Sequence, residues 1–144
     1  MKTILVPVDF SDVTPRVVDT ARSMAKAFAA RIVLLHISEP EPDFVGFEPG
    51  PLAVRTTVAH DFKAEKQRLE ELKTQASTDG LEVLALHIQG PLVEKVLAEA
   101  EKQNADLIVM GSHGHGALFE FLVGSVTNGV LKSAKCPVLV VPAK

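Results

Sequence analysis

Five short apolar runs recur along the chain, and between them the apolar residues switch from continuous to helical spacing. The runs are Lys2–Val8 (KTILVPV), Arg31–Ile37 (RIVLLHI), Leu81–Ile88 (LEVLALHI), Asp106–Met110 (DLIVM) and Pro137–Val141 (PVLVV). Continuous rather than alternating apolar strands belong to a sheet covered on both faces, and such sheets are parallel with flanking helices. The intervening segments supply four helices. Val17, Ala21, Met24, Ala25 and Phe28 mark the first, with Thr14 as an expected N-cap and Pro15 as its first residue. Val58, Phe62, Leu69, Leu72 and Ala76 mark a second that ends at Asp79-Gly80, Pro91–Ala100 a third, and Val126, Val130, Leu131 and Ala134 a fourth.

The order β-α-β-α-β-α-β-α-β with right-handed crossovers gives an α/β, Rossmann-like five-stranded parallel sheet, strand order 3-2-1-4-5, with helices on both faces. The strand order reverses between strands 1 and 4. Ligands bind at such switch points, outside the carboxyl ends of the strands. Pro7–Ser11 and Gly111–Gly116 are therefore expected to face each other across one crevice.

The 144 residues fit one domain, 1–144, since domains run roughly 100–200 residues. Uninterrupted apolar stretches such as Ile32–Leu35 are four residues long, against the roughly 20 a membrane span needs, so neither membrane insertion nor a leader is expected and the address is cytoplasmic. A net charge of −3 and the lack of Trp and Tyr argue against a nucleic-acid partner. The acidic, proline-rich segment Glu39–Pro51 leaves the rim of the same crevice, either as a solvated connector or as a flap.

The chemistry is concentrated in GSHGHGALFEFLVGSV, from Gly111 to Val126. Glycines let main-chain N–H groups approach an anion, and Gly124, Ser125 and Val126 open a helix whose first N–H groups have no internal acceptor. Ser125 adds a hydroxyl and His113 a ring donor. The plain alternative is a flexible strand-to-helix connection, for which four glycines between Gly111 and Gly124 are many. The segment is not a Walker A loop, because Val123-Gly124 precedes Ser125 where that loop has Gly-Lys. Glu120 and the lack of any Lys or Arg between Lys102 and Lys132 leave neutralisation of a triphosphate to backbone dipoles and a cation such as Mg2+ or Mn2+. Asp9 either accepts hydrogen bonds from a ligand or satisfies N–H groups in the turn into helix 1.

His113 and His115 offer at most two ligands, so no metal site is expected from side chains alone. His36 and His87 read as satisfied core or edge residues, His60 as a surface residue, and Cys136 as a small buried one. No nucleophile elbow or Cys-His pair is present, so no catalytic residue is assigned. Nothing follows strand 5 to cover its edge, and an apolar edge is normally paired, so a homodimer through Pro137–Val141 is expected.

The spacing G-x2-G-x9-G-[ST] at Gly111, Gly114, Gly124 and Ser125, the run LIVMGSHGHG, the ending KCPVLVV and the opening ILVPVDFS resemble the universal stress protein family over essentially the whole chain. The resemblance implies the adenine nucleotide α-hydrolase-like variety of the Rossmann-like fold, dimerisation through the last strand and, in the ATP-binding branch, ATP or AMP as ligand. It puts adenine and ribose contacts on Pro7, Val8, Asp9, Ile37 and Met110. Phosphate contacts fall on Gly111, His113, Gly114, Gly124, Ser125 and Val126. The functional expectation is a cytoplasmic adenine-nucleotide-binding regulator of a stress response, acting on a protein partner that the sequence does not name. The alternatives are a slow ATPase or adenylating enzyme on the same fold, and an interaction module that needs no nucleotide.

Overall fold

The computed structural model describes residues 1–38, 52–112 and 124–143, with side chains from residue 62 onward in the second segment. Strand β1 (Thr3–Pro7) is followed by α1 (Thr14–Phe28), β2 (Arg31–Ser38), α2 (Leu52–Ala76), β3 (Val83–Gln89), α3 (Leu92–Lys102), β4 (Leu107–Gly111), α4 (Ser125–Ser133) and β5 (Val138–Val141). The sheet order is β3-β2-β1-β4-β5 and every pairing is parallel. Each strand lies within two residues of its apolar run, because a strand covered on both faces has no polar positions to blur its limits.

The two faces carry separate cores. Ile4, Val6, Ile32, Leu34 and Val109 point toward α1 and α2, where they meet Val17, Ala21, Ala25 and Leu69. Leu5, Val33, Leu35, Ile108 and Met110 point the other way, onto Val96 of α3 and Val130 of α4. Strand periodicity of two assigns successive residues to opposite cores.

Helix limits depart further from expectation. Helix α1 has Val13, not Thr14, at its N-cap, with no side-chain cap bond, and Pro15 falls in its first turn. Thr14 is instead buried inside the helix, its hydroxyl without a hydrogen-bond partner among the described residues. Helix α2 begins at Leu52, well before Val58. It ends in a single 3-10 turn, Thr78–Gly80, where Asp79 takes a left-handed φ of 62° and binds Arg22 and Lys26. Among the described residues no helix is long and apolar enough to cross a membrane.

Candidate functional site

Strands β1 and β4 pair only at Ile4↔Leu107 and Leu5↔Ile108, whereas β1 stays paired with β2 as far as Pro7↔Leu35. Beyond Leu5 the two central strands part, and a cavity of about 750 Å³ opens at their carboxyl ends. That volume lies in the range of small-molecule and cofactor sites. Pro7, Val8, Asp9 and Ile37 line it from the β1–β2 side. Met110, Gly111, Gly124, Ser125 and Val126 line it from the β4–α4 side, so these nine expected residues share one cavity. His113 and Gly114 lie outside the described residues, as do Glu120, His115 and Glu39–Pro51; so does the side chain of His60.

Local geometry explains the two walls. Gly124 is the N-cap of α4 and is extended (φ −62°, ψ 160°), its own N–H donating to the Ser112 carbonyl at 2.8 Å. Ser125 and Val126 then start the helix, with no side-chain cap bond on its first turn. Their amides therefore point out of the helix N-terminus at the edge of the cavity, at the positive end of its dipole. Thr127, buried one residue further on, donates its hydroxyl to the Gly111 carbonyl at 2.7 Å and ties α4 to the end of β4. On the opposite wall the Ser11 amide donates to Asp9 Oδ1 at 2.9 Å, so the turn role of Asp9 is realised. Phe10, between them, holds a left-handed φ of 61°.

The far end of the cavity was not foreseen from the sequence. His36, Ser38, Phe62, Glu65 and Arg68 line it. His36 and His87 are register partners on β2 and β3, which puts both imidazoles on the α1–α2 face. Glu65 reaches them from α2, its Oε2 lying 3.2 Å from His36 Nε2 and 3.5 Å from His87 Nε2. The Ser38 hydroxyl donates to Glu65 Oε2 at 2.5 Å and also meets His87 Nε2 at 2.6 Å. Phe10 packs on the His36 ring at 4.5 Å between centroids, and Phe62 stacks on His87 at 4.1 Å. Arg68 lies over Phe10 at 4.4 Å.

His36 and the His87 side chain are buried, but among the described residues they are not satisfied: His36 Nε2 and His87 Nδ1 have no hydrogen-bond partner. Each is held by packing and by its other nitrogen, which sequence periodicity does not reveal. Burial pushes the His87 imidazole below its ordinary pKa, His36 adds to this, and Glu65 opposes it. Burial also works to raise the Glu65 carboxyl, but the Ser38 hydroxyl and the two imidazoles outweigh it and leave the pKa lowered. A signal was present in the sequence. LLHIS and LALHIQ both place His-Ile near the end of a run, and adjacent strands in parallel register bring such residues side by side. Cys136 is half-buried rather than buried, and burial raises its thiol pKa.

The model of the universal stress protein family matches residues 1–142. A Thermus aquaticus relative, the universal stress protein in the QAH/OAS sulfhydrylase 3′ region, is 38% identical over 140 residues, covering 97% of this chain and 98% of its own. Among solved structures, hypothetical protein MJ0577, from Methanocaldococcus jannaschii, superposes with a TM-score of 0.80 at 30% identity, over 97% of this chain and 94% of that one. A universal stress protein in complex with cAMP (TM-score 0.73, 24% identity, 99% and 98% coverage) shares the fold. So does one from Archaeoglobus fulgidus in complex with dAMP (TM-score 0.71, 20% identity, 97% of both chains).

Proposed function

This chain belongs to the universal stress protein family, and from that premise we propose that it is an adenine-nucleotide-binding member, a cytoplasmic stress-response regulator that senses ATP, ADP or AMP. The observation that carries the reading is the parting of β1 and β4 into one cavity, walled by Asp9 on one side and by Gly111, Gly124 and Ser125 on the other. The amides at the α4 N-terminus suit an anionic group, and Gly124 offers no Cβ to keep a phosphate away. In the sequence, Gly111, Gly114, Gly124 and Ser125 keep the G-x2-G-x9-G-[ST] spacing of the ATP-binding branch. The cAMP and dAMP complexes of two proteins with this fold support an adenine nucleotide as the ligand class.

Pro7, Val8, Ile37 and Met110 supply the apolar part of the cavity for a base and ribose, and Asp9 supplies a carboxylate acceptor. His113 and Gly114 complete the phosphate segment in this reading. Mg2+ or Mn2+ accompanies the phosphates where they are two or three, since no Lys or Arg lies between Lys102 and Lys132. The site is read as one for binding rather than turnover, with at most a weak ATPase activity. Two copies associate through Pro137–Val141, and nucleotide occupancy alters what the dimer presents to a regulated protein.

Thermal unfolding with each nucleotide tests the first step. A ligand at 100 times its Kd stabilises by about 2.7 kcal/mol, which for a domain of this size raises the midpoint by about 5–10 °C. A flat response to ATP, ADP and AMP at millimolar concentration overturns the reading.

A further inference from the structure

We propose that His36, Glu65 and His87 form a binding site for one divalent first-row transition metal ion, with Zn2+ as the reference cation, at the β2–β3 end of the crevice. The donor atoms of these three residues all lie within 4.8 Å of one another. Ligands of a tetrahedral zinc at about 2.0–2.1 Å stand about 3.3 Å apart. Two of the three donor spacings match this: Glu65 Oε2 stands 3.2 Å from His36 Nε2 and 3.5 Å from His87 Nε2.

The hydrogen bonds of His36 point the same way. The Val8 carbonyl accepts from His36 Nδ1 at 2.8 Å, and a carbonyl cannot donate, so Nδ1 carries a proton and Nε2 is the nitrogen left to ligate. Nε2 faces the Glu65 carboxylate at 3.2 Å, outside hydrogen-bond geometry. The Ser38 hydroxyl, donating to Glu65 and in contact with His87 Nε2, holds the two side chains together. The three donor atoms converge inside a pocket where both histidine side chains are more than nine-tenths buried. With a cation on His87 Nε2, that ring's proton resides on Nδ1.

His36 has the surroundings of a metal ligand. A ring N–H donated to a backbone carbonyl is the usual partner of a ligating imidazole, fixing its tautomer and orientation. His36 has this through Val8. Two imidazoles and one carboxylate select Zn2+, Co2+ or Ni2+ over Mg2+ or Ca2+, which take oxygen ligands. The site is also distinct from any phosphate-bound Mg2+ or Mn2+. β2 and β4 are separated by β1, so His36 and Gly111 lie on strands about 10 Å apart. His36, Ser38 and Glu65 line the cavity, so an ion has a way in. The inference is independent of nucleotide binding.

The test is titration of the chelator-stripped full chain with Co2+ and Zn2+, followed by visible absorption and calorimetry. The expected result is one ion per chain, with a Co2+ spectrum of low-coordinate nitrogen and oxygen ligation that Zn2+ displaces. Glu65→Gln and His87→Gln each lower the affinity about 100-fold or more, since loss of outer-shell partners alone costs about 10–100-fold. A His60→Ala/His115→Ala variant keeps both stoichiometry and spectrum. No binding above micromolar affinity, or binding unchanged in Glu65→Gln and His87→Gln, overturns the proposal. Where a variant fails to fold by circular dichroism, X-ray absorption on the Zn2+-loaded wild type decides. Two imidazoles with oxygen supports the site, and a sulfur ligand or a single imidazole overturns it.

Discussion

Asp9 shows how one side chain can serve both the turn and the crevice. Its Oδ1 accepts the Ser11 amide at 2.9 Å while the residue lines the cavity. The sequence left these two roles open because a short carboxylate after a strand suits either one, and only the location of the cavity brings them together. Asp9→Asn separates them. Asparagine keeps an oxygen acceptor for the Ser11 amide but replaces the other oxygen with a donor. We expect AMP affinity to fall about tenfold, equivalent to 1.4 kcal/mol, with the Ser11 contact kept. Calorimetry on the variant checks this; equal AMP affinity would remove Asp9 from the nucleotide contacts. Thr14 illustrates a residue misread from sequence. Ser, Thr, Asp and Asn before an apolar period usually cap, but Ser11 and Asp12 precede Thr14, and the Ser11 carbonyl accepts from the Thr14 amide at 3.0 Å, drawing Thr14 into the helix.

At the scale of elements, the close contact of α3 and α4 decides how firmly the α4 N-terminus is held at the cavity. A Cβ added at Gly129 of α4 would lie 2.8 Å from Val93 Cγ2 and 3.1 Å from Val93 Cγ1. Alanine favours a helix over glycine by about 1 kcal/mol, whereas overpacking costs about 1–3 kcal/mol. Val93 is short and branched, so it cannot swing aside, and Gly129→Ala is expected to destabilise by about 1 kcal/mol net. Adding Val93→Ala should recover most of the loss specific to the clash, which a double-mutant cycle by urea unfolding measures. Nothing in the sequence distinguishes Gly129 from a weak point in a helix; only its packing partner does. Strand β5 carries the dimer proposal. It pairs with β4 on one side, lies at the edge of the described sheet on the other, and its Val140 belongs to neither buried cluster. Val140→Lys places a charge beside that edge, the device by which natural edge strands avoid pairing. The expected outcome is a folded monomer by analytical ultracentrifugation at concentrations where the wild type is dimeric. A wild type that sediments as a monomer removes the dimer from the functional reading.

Across the whole molecule, the sheet opens at one end and is stitched at the other. The crevice was legible in the sequence because five apolar runs fix the strand order, and the strand order fixes where β1 and β4 diverge. The His36–Glu65–His87 cluster was not, because it depends on the register of β2 against β3 and on which face α2 turns inward. Both are set by packing between segments far apart in sequence. The stitched end is closed by Asp106, whose Oδ2 accepts the Lys2 and Thr3 amides at 2.7 and 3.0 Å while its own amide donates to the Thr3 carbonyl at 2.8 Å. The Lys2 amide, then that of Thr3, holds the Asp106 carboxyl below its usual value of 3.8. A carboxyl whose pKa is lowered by folding binds fewer protons in the folded chain than in the unfolded one over that interval. Its stabilising contribution is therefore present above the unfolded pKa and is lost as pH falls through the folded one. Asp106→Asn keeps the shape and removes the titration. The variant is expected to be less stable than wild type at neutral pH by a constant margin, and the margin should close as pH falls below about 4. Urea midpoints across the acid range read this difference directly, because the other carboxylates are common to both proteins. AMP binding at neutral pH should be unchanged, since Asp106 lies at the end of the sheet opposite the cavity; a margin that stays constant into acid would show that the Lys2 and Thr3 contacts do not depend on the charge.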